Sequence, residues 1–339
     1  MKKFFEHSVM RFGMIGSGSW ATALVKVLQQ TQGRVSWFVR DESMIGHIIK
    51  HQRNPSFLQS ARLDALRLDI SSDINKVVAE SDVLIFCIPS VYFLDEIASL
   101  SVPLTDKFIL TAIKGMIPKE NITIAEYFNR THGIPYDNIG VVSGPCHAEE
   151  VSMERLSYLT LTCKKEEVAK ALSKAFTCSF MKTETSTDIY GIEYAVVLKN
   201  IYALAAGICH SLGYGDNFLA VLITSAYREM KEFLNKTYPS KTRDTSRSAF
   251  LGDLLVTSYS QFSRNRTFGS MLGKGYSVRT AQLEMNMVAE GYYGTRCIYE
   301  LNQKHKVPMP IADAIYAILY EKSNPTTTIK HLSETLCQQ

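Results

Sequence analysis

Ser263-Arg264-Asn265-Arg266-Thr267 sets two guanidinium groups and an amide in three consecutive positions, flanked by hydroxyls. Arginine presents a planar fork of donors that matches two phosphate oxygens at once, and asparagine and serine can satisfy the remaining oxygens. The cluster reads as an anion cradle, and a small phosphorylated substrate is the first suspect. In isolation such a run would more often be a solvated basic turn, so its meaning depends on the rest of the chain.

Far upstream, Gly16-Ser17-Gly18-Ser19-Trp20-Ala21 fits the Gly-x-Gly-x-x-Gly/Ala fingerprint of a dinucleotide loop. Gly16 permits the tight turn, Gly18 lets the backbone approach a pyrophosphate, and Ala21 keeps the following helix close to the strand. The helix N-terminus then faces the phosphates. The bare pattern is common by chance. Its context is what counts: the apolar Arg11 to Ile15 precedes it, and a helical pattern through Leu24, Val25, Val27 and Leu28 follows. At the tip of the next strand, where an acid would hold a ribose hydroxyl or an arginine a 2′-phosphate, stand Arg40 and Asp41. Arg40 favours NADP(H); Asp41 keeps NAD(H) as the alternative.

The elements that position these groups follow from the apolar runs. Arg34 to Val39, Val83 to Ile88, Phe108 to Thr111, Ile139 to Val142 and Tyr158 to Thr162 are near-continuous hydrophobic strands separated by helix-like stretches. That pattern predicts an α/β fold with a doubly wound, Rossmann-type, mostly parallel sheet covered on both faces. After about Asp188 the strand signals stop. Helix-length segments take over, at Ile189 to Leu212, Asn217 to Asn235 and Ile311 to Glu321, and Pro239 to Ser248 reads as a polar loop. The expected organisation is a dinucleotide-binding domain over 1–188 and an all-helical substrate domain over 189–339.

Composition narrows the class. With 339 residues, 46% of them apolar and 21% charged, the chain is long enough for two ordinary domains and is globular in character. A net charge of +4 without basic runs gives no reason to expect nucleic acid or an anionic membrane as partner. The N-terminal stretch has no leader pattern, and no apolar segment looks long enough to cross a bilayer, so a cytoplasmic protein without stable membrane insertion is expected. Seven widely spaced cysteines without a Cys-x-x-Cys pair argue against a disulfide framework or a zinc site, and no metal is expected.

With these residues in view, the chain resembles the bacterial-type NAD(P)-dependent glycerol-3-phosphate dehydrogenases. The likeness runs nearly end to end, through Gly16 to Trp20, Lys114-Gly115, Ser143-Gly144-Pro145, Glu193 to Asn200, Gly215-Asp216-Asn217, Leu251 to Leu254, Ser263 to Arg266 and Val288 to Gly291. The resemblance implies reduction of dihydroxyacetone phosphate to sn-glycerol 3-phosphate, a precursor of phospholipids, by a homodimer. Residue by residue, it implies Lys199 as the catalytic acid/base, supported by Asp253 and Lys114. Around the substrate it implies Lys114, Gly144, Cys146, Lys199, Asp253, Ser263, Arg264 and Asn265. Around the cofactor it implies Gly16, Gly18, Ser19, Trp20, Arg40, Lys114, Ala148, Arg264, Val288 and Glu290.

Two positions depart from the family pattern. Cys146-His147 stands where serine and phenylalanine usually follow Gly-Pro, and Thr224-Ser225 where Thr-Arg is usual. A thiol is a weaker hydrogen-bonding group than a hydroxyl, which puts the substrate contact at Cys146 in doubt, and His147 reads better as a cap than as a base. Rival expectations are a carboxylate-reducing relative, such as a 3-hydroxyacid dehydrogenase or ketopantoate reductase, and a non-catalytic NAD(P) sensor. Lys114, Lys199 and Asp253 together speak against the sensor, which needs no proton donor.

Overall fold

β1 (Phe12–Ile15), β2 (Val35–Phe38), β3 (Leu68–Ser71), β4 (Val83–Phe86), β5 (Phe108–Thr111), β6 (Ile139–Ser143), β7 (Ser157–Cys163) and β8 (Met181–Ser186) form one sheet. Their order is β3-β2-β1-β4-β5-β6-β7-β8. All neighbours pair in parallel except β6 and β7, which are antiparallel. The chain winds outward from β1 to β3, then returns to lay β4 on the other side of β1. This reversal is the topological switch point of a doubly wound fold, where ligands bind beyond the carboxyl ends of the strands. The computed structural model describes residues 10–285 and 287–336, so the N-terminal stretch judged for a leader and Cys337 lie outside the described residues.

β1, β2, β4 and β5 are buried at every position, as strands covered on both faces must be. Two strands were not foreseen. β3 (LDIS) and β8 (MKTETS) are the edges of the sheet and are half-exposed over most of their length. Edge strands carry polar residues, so they lack the apolar run that betrays a central strand.

By packing, the chain divides into two compact units, Met1–Ile113 with Ile124–Ile189, and Lys114–Thr123 with Tyr190–Gln339. The segment Lys114–Thr123 thus lies with the helical unit, although the sequence suggested a boundary at 188. The reason is local: Asn200 Nδ2 donates to Lys114 O at 2.9 Å, and Thr123 Oγ1 donates to Glu193 Oε2 at 2.6 Å. Both partners sit on the long helix Ile189–Ser211, which pins the segment at its two ends.

That helix corrects a second expectation. At 23 residues, with a mean hydropathy of 1.4 over its most apolar window, it is long and apolar enough to cross a membrane, contrary to what the sequence suggested. The window is wholly buried inside the protein, however, which accounts for its composition: a helix that is apolar all round is a core helix. Its neighbour Arg264–Gly273 approaches at backbone contact. A Cβ on Gly207 would lie 2.0 Å from Arg266 O, and one on Gly269 would lie 2.1 Å from Leu204 O. Only glycine at both positions permits this crossing, and it holds the start of Arg264–Gly273 beside the Lys199-Asn200 turn.

Candidate active site

Lys199 is in the middle of the buried helix and is only 3% exposed. Such an ammonium must be paired or neutral, because withdrawing a charge from water costs several kcal/mol. It is paired: Nζ donates to Asp253 Oδ1 and, at 3.1 Å, to Thr257 Oγ1. Asp253 opens the helix Asp253–Tyr259, directly after a π-helical turn at Ser248–Gly252. Thr257, one turn on, donates its hydroxyl to Asp253 O at 2.6 Å, leaving a lone pair for Lys199. The other carboxylate oxygen, Asp253 Oδ2, has Lys114 Nζ at 3.8 Å and accepts no hydrogen bond among the described residues.

The result is a row of alternating charge, Lys114, Asp253 and Lys199. Burial pulls the Lys199 pKa down from 10.5 to about 7; Asp253 opposes that shift and Lys114 reinforces it. A lysine poised near neutrality can both give and take a proton. Lys114 is partly open to solvent, with 21% of its side chain accessible.

Ser263 caps the helix Arg264–Gly273, its Oγ accepting from Arg266 N at 3.3 Å. Asn265 Oδ1 accepts from Gly291 N at 2.8 Å, which ties this helix start to the first turn of Glu290–His305. The amide nitrogen of Asn265 is left as a donor. The Arg264 guanidinium, half-buried, makes no hydrogen bond or ion pair with any described residue. Ser263, Arg264 and Asn265, the residues expected to cradle an anion, thus start one helix with the arginine uncommitted among the described residues, and Glu290 immediately precedes Gly291, whose N–H bonds Asn265.

The other anticipated residues belong to the sheet-containing unit. Gly16 has φ +117°, and a Cβ there would meet Cys87 O at 2.3 Å, so the turn requires glycine. Gly18 caps the helix Ser19–Thr31 through its backbone alone, and nothing lies within 4 Å of where its Cβ would be. That open space beside a helix N-terminus suits a pyrophosphate. Ser19 and Trp20 form the first turn. Trp37 Nε1 donates to Gly16 O at 2.8 Å, and the fully buried Asn54 donates to Ser17 O at 3.0 Å, bracing the loop from both sides.

Arg40 lies just beyond β2. Asp41 caps the helix Glu42–His51, its Oδ1 accepting from Ser43 N at 2.8 Å and Met44 N at 3.4 Å. Gly144 adopts φ +125° after β6. Cys146 directs its thiol to Tyr158 O at 3.0 Å. His147 occupies the N-cap position of Ala148–Ser152 without using its side chain for capping, and Ala148 is buried in the first turn.

Sequence reasoning did not single out Thr257 or Asn54. Thr257 stands four residues after Asp253 on one helix face, a spacing that could have flagged it. Asn54 carried no such signal.

Comparison with known proteins shows the family. Residues 11–169 match the N-terminal family of NAD-dependent glycerol-3-phosphate dehydrogenase, and residues 188–330 match the corresponding C-terminal family. The chain is 33% identical over 324 residues to a glycerol-3-phosphate dehydrogenase [NAD(P)+] of Bacillus subtilis (strain 168), covering 94% of this chain and 92% of that one. It is 31% identical over 315 residues to the protein of the same name from Chlorobium limicola, covering 92% and 94%. Among solved structures, a glycerol-3-phosphate dehydrogenase from Coxiella burnetii superposes with a TM-score of 0.87 at 26% identity, over 96% of this chain and 98% of that one. With both halves matched in order and relatives above 30% identity over nearly the whole length, this chain belongs to the NAD-dependent glycerol-3-phosphate dehydrogenase family.

Proposed function

We propose that the chain is an oxidoreductase that reduces dihydroxyacetone phosphate to sn-glycerol 3-phosphate with NAD(P)H, reversibly, and so supplies glycerophospholipid synthesis. The observation that carries the chemical assignment is the row Lys114, Asp253, Lys199, with a buried lysine whose pKa is about 7.

The nicotinamide cofactor supplies the hydride that reaches the ketone carbon. By the family resemblance, Gly16, Gly18, Ser19, Trp20, Arg40, Lys114, Ala148, Arg264, Val288 and Glu290 would hold it. The loop fits this role, with an obligatory glycine turn, open space at Gly18 and a helix N-terminus behind it. Arg40 supports NADP(H) as the favoured form, with NAD(H) as the alternative.

Lys199 donates its proton to the oxygen that becomes the secondary hydroxyl, and in the oxidative direction takes it back. Near neutral pH both forms are populated, so neither direction is starved of the required state. Lys114 adds a second positive charge where the oxygen gathers negative charge, and it keeps Lys199 acidic. Asp253 holds Lys199 in place. After proton donation it still has Lys114 as a counter-ion, so the carboxylate is not left buried and alone. Arg264 and the amide nitrogen of Asn265 bind the phosphate, with Ser263 fixing the turn that carries them, and the binding orients the carbonyl. Gly144 and Cys146 are assigned to the substrate by the family resemblance alone. The Cys146 thiol already donates to Tyr158 O, which argues against a hydrogen bond from it to substrate.

A cytoplasmic homodimer completes the reading, to be checked by light scattering and fractionation. The activity itself is checked by following nicotinamide absorbance on adding dihydroxyacetone phosphate. Turnover of a 2-keto acid with none of the phosphorylated ketone would replace this proposal with the carboxylate reading.

A further inference from the structure

Arg40 is not free to bind a phosphate without cost. Its Nη1 donates to Glu96 Oε2 at 3.1 Å, and the two side chains differ sharply in exposure, 81% for Arg40 and 13% for Glu96. The carboxylate is the sheltered member of the pair, so it depends on this guanidinium for its counter-charge. Glu96 belongs to the short helix Phe93–Ile97, which follows β4, whereas Arg40 follows β2. β2 and β4 flank β1 on either side, so the pair bridges the switch point at the carboxyl ends of the strands, where the adenosine half of a dinucleotide lies in a doubly wound fold.

Both residues line a cavity of about 350 Å³ together with Ser72, Asp73 and Asp95. Arg40 is the single basic residue among the described residues that line it, against three carboxylates. Asp73 is committed to capping, its Oδ1 accepting from Asn75 N at 2.9 Å, and Asp95 is exposed to solvent. Asp41, the acid that the sequence offered for a ribose hydroxyl, turns its Oδ1 to its own helix. Glu96 is thus the acid aimed at Arg40 from within the cavity wall.

We infer that Glu96 is a specificity-determining residue of the dinucleotide site: it withholds Arg40 from a 2′-phosphate and keeps NAD(H) usable. This rests on the assignment of the glycine loop and Arg40 to the cofactor. A 2′-phosphate carries close to two negative charges at neutral pH. To bind Arg40 it must either share the guanidinium with Glu96 or strip a sheltered carboxylate of its partner, and both options weaken binding. A ribose 2′-hydroxyl meets no such repulsion and can donate a hydrogen bond to the Glu96 carboxylate.

The test is calorimetric titration of the full chain with adenosine 2′,5′-bisphosphate and with adenosine 5′-monophosphate, which differ only in the 2′-phosphate. Wild type, Glu96→Gln, Arg40→Ala and the double variant are compared. Glu96→Gln keeps the shape and the hydrogen-bonding oxygen while removing the charge, and it should tighten bisphosphate binding about five- to tenfold without tightening the monophosphate. The gain should vanish when Arg40 is alanine, because the effect runs through that guanidinium. Bisphosphate affinity that Arg40→Ala lowers but Glu96→Gln leaves unchanged overturns the role of Glu96 while sparing the cofactor site. Failure of wild type to bind either nucleotide overturns the cofactor assignment beneath it.

Discussion

The ammonium of Lys199 and the carboxylate of Asp253 form a hydrogen-bonded pair in which the two side chains are only 4% and 1% exposed. A buried ion pair is a poor source of stability, because desolvation offsets most of the attraction. Its presence in a core helix is better explained by chemistry. The same burial that penalises the charge brings Lys199 to a pKa of about 7.

The pH dependence follows from that value. Reduction needs protonated Lys199 and should decline as pH rises through about 7; oxidation of glycerol 3-phosphate needs the neutral amine and should rise over the same interval. Asp253 holds the pKa up, so Asp253→Asn should move both limbs to lower pH as well as slow the reaction. Profiles of kcat in the two directions for wild type and Asp253→Asn check this; limbs that coincide in the two proteins would contradict the electrostatic role of Asp253.

Arg264 should matter for binding more than for chemistry. Its guanidinium is uncommitted among the described residues, so Arg264→Ala removes a phosphate contact without breaking an internal one. A charge-assisted hydrogen bond contributes about 1.5–3 kcal/mol, which corresponds to a rise in KM for dihydroxyacetone phosphate of roughly tenfold to a hundredfold. Steady-state kinetics separate KM from kcat, and thermal unfolding should be little changed.

Gly207→Ala should damage both fold and function. The new methyl would meet Arg266 O at 2.0 Å, and the obstacle is backbone, so the two helices must part. Overpacking of this kind costs about 1–3 kcal/mol. It would also displace Ser263 to Asn265 relative to Lys199. Denaturant unfolding together with kcat/KM checks both parts.

Glu229 offers a prediction about stability alone. Its buried carboxyl accepts from Ile311 N at 2.9 Å and Ala312 N at 3.1 Å, capping the helix Pro310–Tyr320, and burial pushes its pKa from 4.5 up to about 8. Because the folded pKa is the higher one, the folded state binds the proton more tightly. The stability this contributes is complete below about 4.5 and is lost as pH rises through about 8. Glu229→Ala should leave two buried N–H groups without acceptors and lower stability by about 2–6 kcal/mol, at about 1–3 kcal/mol for each orphaned group. Urea unfolding at several pH values measures both effects.

Much of the sheet is legible in the sequence. The central strands announce themselves by continuous apolar runs, and the glycine loop by its place between strand and helix. The edge strands β3 and β8 were not legible, since LDIS and MKTETS carry the polar residues that an exposed edge needs. Lys199 and Asp253 were named by family likeness, but their pairing, separated by 54 residues in sequence, is a matter of tertiary packing. Arg40 was visible as a cation after β2. Its engagement with Glu96, 56 residues away, was not, because no periodicity links the two.

The most direct test compares wild type with Lys199→Ala in NADPH or NADH oxidation on addition of dihydroxyacetone phosphate, with cofactor affinity measured alongside. The account predicts rapid oxidation by wild type, a loss of about 10²- to 10⁴-fold in kcat in the variant, and nearly unchanged cofactor binding. Near-normal turnover by Lys199→Ala would contradict it.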